Sequence, residues 1–112
     1  MSSPSIDVLR RRCGGPRDGA LLRFALGEAL RGAGDLPAAI DELRRALEFD
    51  PLYSAAWKQL GRACLAAGRP ADAAAAWRQG MAAAERRGDR QAQKEMAVFL
   101  RRLERAGSHD QS

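Results

Sequence analysis

The sequence predicts an all-α fold: an α-solenoid of two helix–turn–helix units, closed by a C-terminal capping helix and preceded by a short N-terminal helix. Three observations carry this. Shifted by 34 residues, the chain matches itself: Leu60-Gly61 falls on Leu26-Gly27, Gly68 on Gly34, Ala73 on Ala39 and Trp77 on Leu43. Self-similarity at that period marks stacked helix pairs. Apolar residues make up 46% of the chain but aromatics only 5%, so alanine, the best helix former, carries much of the apolar content. Few segments show the alternation of apolar and polar residues that a strand needs.

At 112 residues the chain is one domain with a modest core. Residues 1–19 form an N-terminal segment. A short helix over 5–12, begun by Ser5, places Ile6 and Leu9 on one face, an i,i+3 pair able to dock on the array. Cys13-Gly14-Gly15-Pro16 breaks it.

The first unit spans 20–53. Asp18 is the expected N-cap of a helix over 20–33, whose buried stripe is Leu22, Ala25, Leu26, Ala29, Leu30 and Ala33. Gly34 closes it, since glycine takes the left-handed conformation cheaply. Asp35 starts the partner helix, with Pro37 in the first turn where its missing N–H costs nothing. Ala39, Ile40, Leu43, Ala46 and Leu47 form the apolar face, which runs to Phe49 before Asp50-Pro51 ends the unit.

The second unit, 54–87, repeats this grammar. A helix over 54–67 buries Trp57, Leu60, Gly61, Cys64 and Leu65 and stops at Gly68. Pro70 opens a helix to residue 87 that presents Ala73, Ala74, Trp77, Met81 and Ala84. Residues 88–106 follow as a cap: Gly88 ends one helix, Asp89 starts the next, and Ala92, Met96, Phe99, Leu100 and Leu103 form its stripe. Residues 107–112 are polar and are expected to be a disordered tail. Glycine inside a helix costs about 0.5–1 kcal/mol relative to alanine. Gly27 and Gly61, at one place in both units, therefore imply a partner helix packed where a Cβ would clash.

The two units resemble tetratricopeptide repeats over about two-thirds of the chain. Trp57, Leu60-Gly61, Ala73, Trp77 and Gly80 stand in the family's places in the second unit. The first supplies Leu26-Gly27, Ala39, Ala46 and Pro51, with Arg23 in place of the early aromatic and Leu43 in place of the later one. The last helix is similar to the helix that closes such arrays, provided one residue is inserted near Gly88; Glu95-Met96 replaces Leu-Gly there.

The resemblance implies a right-handed solenoid whose first helices line a concave groove for an extended peptide or a helix. By matching places, the groove residues are Phe24, Glu28, Arg31, Lys58, Gln59 and Arg62, with Arg90, Gln93 and Lys94 from the cap. Some chaperone-docking members grip a terminal carboxylate with lysine, asparagine and arginine. Arg90 and Lys94 fall in the last two basic places of that clamp, but Phe24, Glu28 and Gln59 occupy the others, so the clamp is incomplete.

The expected function is a non-enzymatic adaptor or scaffold whose partner is a protein or peptide, in particular an acidic segment. The net charge of +5 suits the last point, since eleven of nineteen basic residues but six of fourteen acidic ones lie from Lys58 onward; a solvated, arginine-rich helix surface gives the same excess. A homodimer is the alternative, because Leu21 and Phe24 are apolar yet lie beside the core stripe. Nucleic acid is disfavoured, since no aromatic stacking platform sits among the arginines. Neither cofactor nor metal site is expected: the one histidine, His109, has a single neighbouring carboxylate, and Gly14–Gly19 lacks the phosphate-loop pattern. Cys13 and Cys64 form no C-x-x-C pair, which favours a reducing cytoplasm. No apolar run approaches the roughly 20 residues that span a bilayer, and the N-terminus shows no secretory signal.

Overall fold

The computed structural model describes the backbone of residues 4–110 and the side chains of residues 5–107. Among the described residues run six helices and no strand: α1 (Pro4–Arg12), α2 (Ala20–Gly32), α3 (Leu36–Phe49), α4 (Ser54–Ala66), α5 (Pro70–Arg87) and α6 (Arg90–Asp110). Local chemistry sets their ends. Gly34, Gly68 and Gly88 take φ of +84°, +77° and +78°. The next residue in each case donates back to the last turn: Asp35 to Leu30 O at 3.0 Å, Arg69 to Cys64 O at 2.8 Å and Asp89 to Ala84 O at 2.8 Å. This closure needs a residue without a Cβ penalty. At the opposite ends, Asp35 accepts the Ala38 N–H at 3.3 Å and Asp89 the Ala92 N–H at 3.1 Å, and each carboxylate satisfies a donor that would otherwise have no partner.

Several local expectations are corrected. Ser5 is not a cap, because α1 is already helical at Pro4. Asp18 does not cap α2, which opens at Gly19 without a side-chain cap; its carboxylate is held by Arg23 and the loop N–H of Gly14. Ala33 is exposed, since α2 stops at Gly32 and Ala33 turns away with the chain. Leu65 is 43% exposed, because it stands about 140° round the helix from buried Leu60 at 100° per residue. The last helix passes residue 106 and runs to Asp110: a lone glycine at 107 costs only about 1 kcal/mol, and no proline follows it. Residues 111 and 112 of the expected tail, and residues 1–3, lie outside the described residues.

Each helix packs on the next from α1 to α6, and α4 in addition touches both α2 and α6. No such contact joins α3 to α5. The inner row α2–α4–α6 is therefore closed up while the outer row is splayed, and the array curves with α2, α4 and α6 on its concave side. The extents of 49 × 34 × 18 Å are those of a slab two helices thick. Its main core joins Ile40, Leu43, Leu60, Cys64, Trp77 and Met96. A smaller cluster seats Ile6 of α1, 1% exposed, on Leu26, Leu30 and Ala39.

The glycines explain how closely the helices approach. A Cβ on Gly27 would lie 2.8 Å from Leu43 Cγ, and one on Gly61 would strike the Trp77 indole. Gly80 repeats the device against Trp57 Cβ and the Met96 sulfur. Met96 thus occupies, on the cap, the space that Gly80 vacates.

Arg23 stands where the second unit has Trp57, and it is buried. Its guanidinium bonds Asp18 at 2.8 and 2.9 Å and Glu42 at 2.9 Å. The ion pairs tie the Gly/Pro loop to α2 and α3. The Arg23 hydrogen bond, then the Gly14 N–H, hold the Asp18 carboxyl down at about 2.

Candidate functional site

The concave face is built from one side of α2, α4 and α6. At the α2 end, Phe24 meets Tyr53, ring centroids 5.0 Å apart and tilted by 36°. Glu28 and Arg31 pair with each other at 3.1 Å, one helical turn apart. Tyr53 sits just before α4, and its burial, followed by the nearby Asp50 and Glu28 carboxylates, pushes its phenol up. Leu21, one turn before Phe24 on α2, is 73% exposed and lines a shallow hollow with Leu9 and Arg12 of α1.

In the middle, Lys58 Nζ reaches Glu95 on α6 at 3.2 Å. The Lys58 carbonyl accepts the Trp77 indole N–H at 3.2 Å, which fixes α4 on α5. Arg62 donates to the Gln59 amide oxygen at 3.4 Å, and its guanidinium lies over the Phe99 ring, 5.9 Å from the centroid. A cation over an aromatic face is attracted by the ring quadrupole. At the far end, the C-terminal halves of α4 and α6 diverge around a cleft of about 460 Å³. Leu65, Ala66, Trp77, Phe99, Leu103 and Ala106 line it, with Arg62 and Arg102 at its edge.

The cap helix sits in a different register from the one the sequence suggests. α4 begins 34 residues after α2, whereas α6 begins 36 after α4, at Arg90 against Ser54. The cause is that α5, at 18 residues, is four longer than α3, while a two-residue link replaces a four-residue one. The shift is two residues, not one. Buried Ala92 and Met96 then match buried Ala56 and Leu60, and Glu95 matches Gln59.

This moves the expected site residues. Phe24, Glu28, Arg31, Lys58, Gln59 and Arg62 share the concave face. Gln93 and Arg90 do not join them: they stand about 160° and 140° round α6 from Glu95, the residue that meets Lys58. Lys94, which is exposed, takes on α6 the place that Lys58 has on α4. The α6 residues on the groove are instead Glu95, Val98 and Arg102, with Phe99 behind them. Glu95 and Arg102 were missed because the register that exposes them depends on the length of α5. Tyr53 was missed because it precedes its helix; its signal was its place beside Phe24.

The electrostatics follow. Lys58 and Arg31 are each neutralised by a carboxylate, so the positive field of the groove comes from Arg62 and Arg102, both exposed. Cys64 is buried and burial pushes its thiol up, which suits packing rather than attack. Among the described residues, no group of three or more His, Cys, Asp or Glu side chains could hold a metal ion; the side chain of His109 lies outside them. No described helix is long and apolar enough to cross a membrane.

Comparison with known proteins agrees with this architecture. A family model described as tetratricopeptide repeat matches residues 7–54 and 24–89. The chain is 56% identical over 89 residues to a TPR repeat-containing protein of Pseudomonas aeruginosa, covering 80% of this chain and 85% of that one. It is similar to the solution structure of a Bordetella parapertussis protein, with a TM-score of 0.83 and 42% identity over 99% of this chain and 96% of that one. It also resembles the crystal structure of a tetratricopeptide repeat domain protein from Salinibacter ruber, with a TM-score of 0.72, 22% identity, and coverage of 78% and 97%.

Proposed function

The chain belongs to the tetratricopeptide repeat family, whose members are in general non-enzymatic protein-interaction modules, and on that premise we propose that it binds a segment of a partner protein along the concave face of α2, α4 and α6. The observation that carries this is what the face leaves unsatisfied. Of the five large hydrophobic residues most exposed in the described chain, Leu65 and Val98 stand here, beside Arg62 and Arg102, which no carboxylate neutralises among the described residues. Exposed apolar side chains beside uncompensated charge mark an interaction surface. The segment is acidic, and the site of action is the cytoplasm.

The test is an amide NMR titration with two ten-residue peptides, one rich in aspartate and leucine and its asparagine counterpart, each at low and at physiological salt. The expected result is that only the acidic peptide shifts amides on α2, α4 and α6, and that salt weakens it, because exposed charges are screened over about 8–10 Å. Equal weak binding by both peptides at both salts overturns the proposal. Self-association is the weaker alternative: Leu21 is one side chain, and a stable dimer needs about 800 Å² from each partner.

A further inference from the structure

We infer that the cleft between the C-terminal halves of α4 and α6 is an anchor site for one large apolar side chain that the partner segment presents next to a carboxylate. The inference rests on the concave-face reading above and adds the determinant that face recognises.

The cleft has the size of a small ligand pocket, about 460 Å³, within the range of about 300–1,000 Å³ that such pockets occupy. Its lining is apolar. Trp77 and Phe99 form the floor with ring centroids 5.4 Å apart, and the one polar group there, the indole N–H, is already given to Lys58 O. A polar side chain entering the cleft would lose water and find no partner, while an aromatic or leucine-sized one would bury its surface against Leu65 and Leu103. Leu65 itself, 43% exposed, lines the cleft and loses part of its contact with water when the cleft is filled.

The edge supplies the second half of the determinant. Among the described residues Arg62 bonds only the neutral Gln59 amide, and it lies over Phe99. Arg102 makes no ion pair among the described residues, and Glu104, the acid closest to it along α6, is engaged by Arg78 at 3.4 Å. Among the described residues, two guanidinium groups without a counter-anion thus flank an apolar hole. The complementary ligand is a carboxylate one residue away from the apolar side chain, able to accept the guanidinium fork. A nucleobase fits less well, because Trp77 is 2% exposed and offers no open ring to stack on.

The probe is a fluorescein-labelled peptide, Gly-Ser-Asp-Phe-Asp-Ser-Gly, with versions carrying Ala for Phe or Asn for both Asp. Fluorescence anisotropy is read against the parent chain, Ala66→Leu, which fills the cleft from an exposed helix position, and Arg62→Gln/Arg102→Gln. Circular dichroism melts check that each variant folds. Affinity should fall about tenfold for either altered peptide and for either variant, with amide shifts centred on Leu65, Ala66, Phe99 and Leu103. Unchanged affinity in Ala66→Leu overturns the anchor site, as does displacement of the peptide by an oligothymidine at equal concentration. If acidic peptides shift α2 and the start of α4 but ignore Ala66→Leu, the groove stands and the anchor falls. If no peptide shifts any amide, both fall.

Discussion

Replacing Gly61 by alanine sets two effects of known sign against each other. Helix propensity favours alanine by about 0.5–1 kcal/mol. Against that, the new methyl would lie 2.5 Å from both Cδ1 and Cε2 of Trp77, where carbon atoms need about 3.5–4 Å. The indole cannot swing aside. Trp77 is 2% exposed, packs on Phe99 and gives its N–H to Lys58 O. Overpacking a rigid core side chain costs about 1–3 kcal/mol, so the clash wins by about 1–2 kcal/mol, or roughly 5–15 °C in melting temperature for a domain of this size. Two comparisons isolate the cause. Gly27→Ala meets Leu43 Cγ at 2.8 Å, a milder overlap, and should cost less; Gly32→Ala meets nothing within 4 Å and should stabilise. Repeating Gly61→Ala in a Trp77→Leu background should shrink its penalty, since the two residues are in direct contact. Thermal melts followed by circular dichroism read all of these. If Gly61→Ala melts at or above the parent, or costs the same with Leu at 77, steric approach is not what keeps that glycine.

The remaining predictions concern the charged groups. The Asp18 carboxyl is held at about 2 against an ordinary 3.8, so the folded state favours its ionised form. Its stabilisation is fully present above about pH 4 and is lost as pH falls toward 2; pH-dependent melts should show that loss in the parent and not in Asp18→Asn. Asp89 caps α6 and accepts the buried Ser54 hydroxyl at 2.7 Å, and the Ser54 bond, followed by the Ala92 N–H, lowers its pKa. Asp89→Ala should therefore destabilise by about 1–2 kcal/mol in urea unfolding at neutral pH, and Ser54→Ala should recover part of that loss when the two are combined. A double-mutant cycle on Lys58 and Glu95 should yield a coupling of only about 0.5–1 kcal/mol, because the pair is partly exposed, and the charge-swapped Lys58→Glu/Glu95→Lys chain should fold. A zero coupling would mean that Lys58 is not held at α6.

The helix pairs were legible in the sequence because they rest on local chemistry. Gly34, Gly68 and Gly88 close three helices, Pro37 and Pro70 open two, and Leu43 and Trp77 fill the faces left bare by Gly27 and Gly61. Each of those signals acts within one or two turns, or across one helix pair. The site was harder to read because the groove is assembled from three helices whose relative phase accumulates along the chain. One extra turn on α5 rotated α6 enough to exchange Gln93 and Arg90 for Glu95 and Arg102. Charge counting also overstated the basic face, since it could not show that Lys58 and Arg31 had already found carboxylates. Arg23 stood in an aromatic's place in the sequence; only the fold shows Asp18 and Glu42 converging on it from two other segments.

The difference in joint length between the units determines where this array could grow. Residues 20–53 leave through the four-residue joint before Ser54, in step with the 34-residue repeat, whereas α5 leaves through Gly88-Asp89, two residues out of step. A duplicate of residues 20–53 spliced in at Ser54 would keep every interhelical joint and extend the concave face by one helix. A duplicate spliced in after Arg87 would inherit the offset and turn its apolar stripe off the preceding pair. The short joint thus acts as a terminator: it commits whatever helix follows it to closing the stack.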